Sequence, residues 1–122
     1  FSEDLREQVI AAAEDPIPDS VYAYTNGPRF NSRSEINMLS NHATFVSQTA
    51  GPEIILAGEL EIPCVLLGFG VDYANGVSAE PTSVDVLKEN IQKCKEVFES
   101  VIRKLIKNFH EPEYQGFIYR FE

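Results

Sequence analysis

Basic residues are scarce in this chain: ten Lys and Arg stand against nineteen Asp and Glu, for a formal net charge of -9. They are spread too thinly to track a phosphate backbone, so nucleic acid is not an expected partner. Long apolar runs are missing as well. The longest candidate, residues 62–71, falls well short of the roughly 20 residues that span a bilayer and is broken by Pro63, Gly68 and Gly70. No membrane role is expected. Cysteine is limited to Cys64 and Cys94, whereas small disulfide-held secreted scaffolds are far denser in it, so two buried reduced thiols and a cytoplasmic location are expected. The two histidines, His42 and His110, lie far apart and share no Cys or acidic cluster at ligand spacing, so no metal is expected. The glycine fingerprint of dinucleotide folds, the P-loop, the nucleophile-elbow serine and the H-E-x-x-H pair are all absent. The only methionine is Met38, so Phe1 is no translation start, and charges interrupt residues 1–13 too often for a secretory signal. Sequence preceding Phe1 is therefore expected.

What is present is enough to fold. With 43% hydrophobic and 11% aromatic residues over 122 positions, the chain can bury enough apolar surface to offset its conformational entropy, and its size predicts one core. Ser2 caps a predicted helix carrying Leu5, Val9, Ile10 and Ala13 at helical spacing, ending near Glu14 before a Pro-rich stretch. Residues 21–25 read as a strand, Asn26-Gly27-Pro28 as a turn, and 32–41 as a helix. The alternation repeats with a strand at 44–48, a turn at Gly51-Pro52 and a helix over 53–60. Residues 63–71, nearly all apolar, predict a central strand covered on both faces. After a loop over 73–82, Ser83 opens the longest helix, whose stripe runs through Val84, Leu87, Ile91, Cys94, Phe98, Val101, Ile102 and Leu105. The tail reads as loop with a short strand around 117–119.

Helices alternating with short apolar strands imply an α/β fold with a mixed, largely parallel sheet between two helical layers. Ligands in such folds gather at the carboxyl ends of the strands. Three segments there carry chemistry: Thr25-Asn26-Gly27-Pro28-Arg29-Phe30-Asn31-Ser32-Arg33-Ser34-Glu35, Ser47-Gln48-Thr49-Ala50-Gly51-Pro52-Glu53, and Val71-Asp72-Tyr73. Asp72 closes the apolar strand, where an unpartnered carboxylate is costly unless it takes up a proton. Read alone, Phe30 is a core aromatic, Asn31 a capping or turn residue, Thr49 a turn former and Asp72 the cap of the next turn.

In this order and register, the three strings resemble the trimeric purine nucleoside phosphorylases, and most of all the methylthioadenosine phosphorylase branch. The similarity runs to about residue 106 and corresponds to the second half of a family member. The resemblance implies a three-layer phosphorylase-like fold and attack of inorganic phosphate on the anomeric carbon of a purine nucleoside, with no further cofactor. Methylthioadenosine or adenosine is the favoured substrate. Negative charge grows on the departing purine, so the site must stabilise the base, hold the ribose and position an anion. By this resemblance Phe30 packs on the purine, Asn31 lies at its edge, Gln48 lines the ribose, Thr49 binds phosphate and Val84 lines the pocket for the 5' substituent. Asp72 is the catalytic candidate. Protonated, it donates to purine N7 as general acid; ionised, it accepts from a 6-amino group.

Two positions depart from the family pattern. Gln48 stands where a Met is usual, and Ala74 follows Asp72-Tyr73 where methylthioadenosine phosphorylases carry a second Asp, which opens a methylthioinosine or 6-oxopurine alternative. The glycine-containing phosphate loop, a phosphate-binding Arg and His, and a His given across the trimer interface belong to the family's first half and have no match here. An amino-terminal half, on the same precursor or another chain, is the implied partner, with a homotrimer or hexamer as the implied assembly. A non-catalytic subunit or purine-binding fragment is the alternative of another class.

Overall fold

The computed structural model describes residues 1–121, and within it the chain divides into two compact units assembled from separated stretches. One comprises Ile17–Thr49 and Gly68–Phe98; the other comprises Phe1–Pro16, Ala50–Leu67 and Glu99–Glu122.

The first of these units is built on a strand–helix–strand motif. Strand β1 (Tyr22–Tyr24), helix α2 (Arg33–Leu39) and strand β2 (Phe45–Ser47) follow one another, and β1 pairs with β2 in parallel, Tyr22 opposite Phe45 and Tyr24 opposite Ser47. Parallel neighbours need a crossover, and α2 supplies it. Its start is written in the sequence: the Ser32 hydroxyl accepts from Glu35 N–H at 3.3 Å while Glu35 Oε2 accepts from Ser32 N–H at 2.6 Å, a reciprocal capping box. Ile36, buried, is the apolar anchor of this helix. Helix α4 (Val84–Asn108) opens in the same unit, with Ser83 Oγ accepting from Val86 N–H at 3.3 Å.

The other unit holds α1 (Glu3–Ala12), α3 (Gly51–Glu59) and the last part of α4. Ser2 caps α1 as expected, its side chain accepting from Leu5 N–H. Val9 and Ala12 meet Val101 of α4 in a small buried cluster, joined by the half-buried Val65, Leu67 and Leu105. Pro52 sits in the first turn of α3, where its missing N–H costs nothing. No helix is long and apolar enough to cross a membrane among the described residues. Cys64 and Cys94 are both free and half-buried rather than fully buried.

Two expected strands do not form. Residues 63–71 form neither helix nor ladder; Cys64 O accepts from Ser2 N–H at 2.8 Å and Val71 O accepts from the Asn90 side chain at 3.0 Å. Residues 117–119 are likewise without strand pairing, although Phe117 and Tyr119 meet edge to face at a centroid distance of 4.8 Å. Apolar character encodes burial, whereas a strand also needs a neighbour offering a free edge, and that edge is a property of other segments. The observed sheet is therefore two-stranded and parallel. It agrees with an α/β class, while the three layers and the mixed sheet of the expectation are not seen among the described residues.

Candidate functional site

The site candidates lie in the unit built on β1 and β2, where the segments following the two strands are tied to one another. Thr25 N–H donates to Ser47 O at 3.0 Å, extending the β1–β2 pairing by one residue. The string after β1 is then folded over by Arg29, whose guanidinium grips the Glu35 carboxylate with two hydrogen bonds of 2.8 Å each. Such a bidentate pair fixes orientation as well as distance. Together with the capping box it holds the Glu35 carboxyl down at about 2, the Arg29 hydrogen bonds being the largest cause and the Ser32 donors the next.

This depression makes a prediction with a definite sign. A carboxylate whose folded value is lowered stabilises the fold fully above its ordinary range near 4.5, and the contribution fades as pH falls toward about 2. Because the pair is solvent-exposed, its effect is screened and modest. In the full-length polypeptide Glu35→Gln should lower the melting temperature at pH 7, and the gap to wild type should close as pH is taken from 4.5 down to 2.5. A gap that stays constant over that interval would show that Glu35 ionisation does not hold the turn.

Between Arg29 and α2, Phe30 is 87% exposed, so the reading of Phe30 as a core aromatic fails. Asn31 is half-buried: the Thr25 hydroxyl donates to its Oδ1 at 2.9 Å, and its backbone carbonyl accepts from the Asn75 side chain at 2.7 Å. With Oδ1 engaged, the Asn31 amide is left with its Nδ2 donors. After β2, the Gln48 side chain donates to Arg29 O, and its Oε1 would lie 3.2 Å from a Cβ added at Gly27. Its amide therefore buttresses the Gly27–Arg29 turn. Thr49 is exposed, with its hydroxyl 3.0 Å from that of Ser47 and its carbonyl accepting from the Tyr22 hydroxyl.

Asp72 is exposed, not enclosed at the end of a covered strand, because the strand that was to carry it has no ladder. Its Oδ1 accepts from Tyr73 N–H at 2.7 Å and from the Thr82 hydroxyl. The loop it opens returns to the other segments through Asn75. That approach requires a turn at Gly76, whose φ is +86° and where an added Cβ would fall 2.5 Å from Arg33 Cγ. Val84, at the start of α4, is 65% exposed. Hydrogen bonds thus link Asn75, in the loop that Asp72 opens, to Asn31, Thr25, Ser47 and Thr49 in turn, while Phe30 and Val84 are both exposed.

Thr25, Asn75 and Thr82 were not foreseen as part of this arrangement. Their residue types are ordinary turn formers, and only Thr25, at the end of a predicted strand, carried a positional signal. Two clefts of about 340 and 490 Å³ are present, the first lined by Asp4, Glu7, Gln8, Lys104 and His110 among others, the second by Arg33, Ser34, Asn37, Asn75 and Gly76 among others. Neither is lined by Asp72 or Thr49, which face open surface. No group of three His, Cys, Asp or Glu residues able to hold a metal ion occurs among the described residues.

Comparison with known proteins gives a match of residues 1–107 to the model of the phosphorylase superfamily. A probable 6-oxopurine nucleoside phosphorylase of Dictyoglomus turgidum is 38% identical over 94 residues, covering 74% of this chain and 36% of the relative. A probable S-methyl-5'-thioinosine phosphorylase of Methanocaldococcus jannaschii is 38% identical over 91 residues, 75% of this chain and 34% of the relative. An S-methyl-5'-thioadenosine phosphorylase of Hyperthermus butylicus is 30% identical over 115 residues, 86% of this chain and 42% of the relative. The chain thus spans between a third and a half of the length of these relatives.

Proposed function

This chain belongs to the phosphorylase superfamily, and on that premise we propose that it supplies the base and ribose side of a site for phosphorolysis of purine nucleosides. The observation that carries the proposal is the hydrogen-bonded series from Asn75, in the loop that Asp72 opens, to Thr49, which ties the segments after β1 and β2 to that loop. In this reading phosphate forms a bond to the anomeric carbon as the bond to purine N9 breaks. Thr49 contributes a hydroxyl to the phosphate, Phe30 covers the purine face, Val84 faces the 5' substituent and Asp72 meets the N7 and 6 positions. The exposure of Phe30, Val84 and Asp72, and the apolar run over 63–71 that joins no ladder, support an amino-terminal half that closes the site and supplies the rest of the phosphate ligands. Inorganic phosphate is the co-substrate, a homotrimer or hexamer the assembly, and the cytoplasm the location.

Methylthioadenosine or adenosine is the first substrate reading, since the Asp72 carboxylate accepts from a 6-amino group. A second, 6-oxopurine reading draws on one observation: the Thr25 hydroxyl donates to Asn31 Oδ1, while both Nδ2 donors of that amide carry no bond to another described residue, and a 6-oxo oxygen accepts from such donors. Ala74 works in the same direction by omitting a second carboxylate. Relatives bearing both kinds of name are similar to this chain. The deciding experiment compares kcat/KM of the full-length polypeptide for methylthioadenosine, adenosine, methylthioinosine and inosine with phosphate. Activity on the 6-amino pair in excess by about tenfold or more is expected if Asp72 dominates. No turnover of any of the four would remove the phosphorolysis reading.

A further inference from the structure

Asp72 is held in an unsymmetrical way. Among the described residues its hydrogen bonds, from Tyr73 N–H and from the Thr82 hydroxyl, both arrive at Oδ1. Two donors on one oxygen leave Oδ2 as the face of the carboxyl group turned to anything outside the loop. The residue on its amino side is fixed as well, since Asn90 of α4 donates to Val71 O.

Thr82 has no competing duty that would explain its orientation. Helix α4 begins immediately after it, but the capping group is Ser83: its Oγ accepts from Val86 N–H at 3.3 Å and its carbonyl from Leu87 N–H at 2.9 Å. Thr82 is half-buried between the exposed Pro81 and Ser83. Its hydroxyl reaches across ten positions of chain to the one carboxylate proposed to meet the purine.

We propose that Thr82 is a positioning residue for Asp72, holding Oδ1 so that Oδ2 is the oxygen presented to the purine. The proposal rests on the phosphorolysis reading and deepens it. An Asp carboxylate turns easily about its terminal torsion, and a transition-state contact gains from having that freedom removed beforehand. Phosphate, on the Thr49 side, is not reached by this contact, so the effect is confined to the base.

The test uses the full-length polypeptide with Thr82→Val, which keeps the shape and removes the donor, Thr82→Ser, which keeps the donor, and Ser83→Ala, which removes the neighbouring helix cap. Thr82→Val should lower kcat about tenfold and compress the ratio of 6-amino to 6-oxo efficiency, with the KM for phosphate changed less than about twofold. Affinity for free purine, read by calorimetry, should fall in parallel. Thr82→Ser should restore all three, and Ser83→Ala should lower the melting temperature while leaving base selectivity alone. If Thr82→Val does not fold, Thr82→Ala carries the same expectations. An active wild type whose kcat, selectivity and purine affinity are untouched by loss of the hydroxyl overturns the proposal, as does a loss that Ser fails to restore or that Ser83→Ala reproduces. Absence of turnover by the wild type is a different result, which brings down the phosphorolysis reading itself.

Discussion

A polypeptide limited to these 122 residues is expected to give no detectable phosphorolysis of methylthioadenosine, adenosine or inosine, and co-expression with the proposed amino-terminal half is expected to restore it. The loss follows from what the site residues face. Thr49 and Asp72 are exposed, Phe30 is 87% exposed, and neither of the two clefts described above is lined by them. Phosphorolysis joins two small reactants, and holding both in attack geometry provides effective concentrations on the order of 10⁵ M or more. An exposed surface that offers phosphate only the proposed Thr49 hydroxyl loses most of that, together with the water exclusion that strengthens hydrogen bonds to the departing base. A deficit on the order of 10⁴-fold or larger is the natural scale. Substantial turnover by the purified fragment, shown free of other polypeptides by mass spectrometry, would mean that the chain is self-sufficient and that the proposed partner half is unnecessary.

The same division between local and borrowed structure decides what the sequence discloses. Helix α2 and its cap are local: Ser32 and Glu35 lie three residues apart, and both halves of the capping box form. Helix α1, with Ser2 at its cap, and α4, with its long apolar stripe, are legible for the same reason. The run over 63–71 is not, because its apolar residues state that it is to be covered without stating by what. In this chain Val65 and Leu67 find the Val9 cluster, and the rest of the run finds no neighbouring strand. The site divides likewise. The three strings around Phe30, Thr49 and Asp72 could be found as strings, but the roles of Thr82 and Asn75 depend on where a ten-residue loop returns, which no spacing rule specifies. Gln48 illustrates a subtler gap. Its place in the string points toward ribose, yet its amide is engaged by the Arg29 carbonyl.

Asp72→Asn in the full-length polypeptide should move preference from 6-aminopurine toward 6-oxopurine nucleosides by on the order of 10 to 100-fold in the ratio of kcat/KM. The direction comes from hydrogen-bond polarity. An ionised Asp only accepts, so it suits the N–H donors of a 6-amino group and is repelled by the lone pairs of a 6-oxo oxygen, whereas an Asn amide offers two donors as well as an acceptor. The magnitude corresponds to about 1.5 to 3 kcal/mol, the range of one hydrogen bond to a charged group gained or lost where the alternative leaves a polar group unpaired. Two features of this chain bear on the result in the same direction. Asn31, whose oxygen accepts from Thr25, would on the proposed reading offer its Nδ2 donors to the base, so the substitution adds to that tendency and 6-oxo substrates should gain. The Thr82 hydroxyl and Tyr73 N–H both donate to Oδ1, and an Asn in that place would keep these two bonds by directing its oxygen to them, which leaves its NH₂ on the side where Oδ2 had been. The substituted group therefore presents donors to the purine without disturbing the loop, and the loss on 6-amino substrates should appear in kcat with melting temperature unchanged. The measurement is a comparison of methylthioadenosine, adenosine, methylthioinosine and inosine in wild type and Asp72→Asn. A wild type already selective for the 6-oxo pair, or a ratio that the substitution leaves where it was, would mean that Asp72 does not read the purine 6 position and that Asn31 alone governs it.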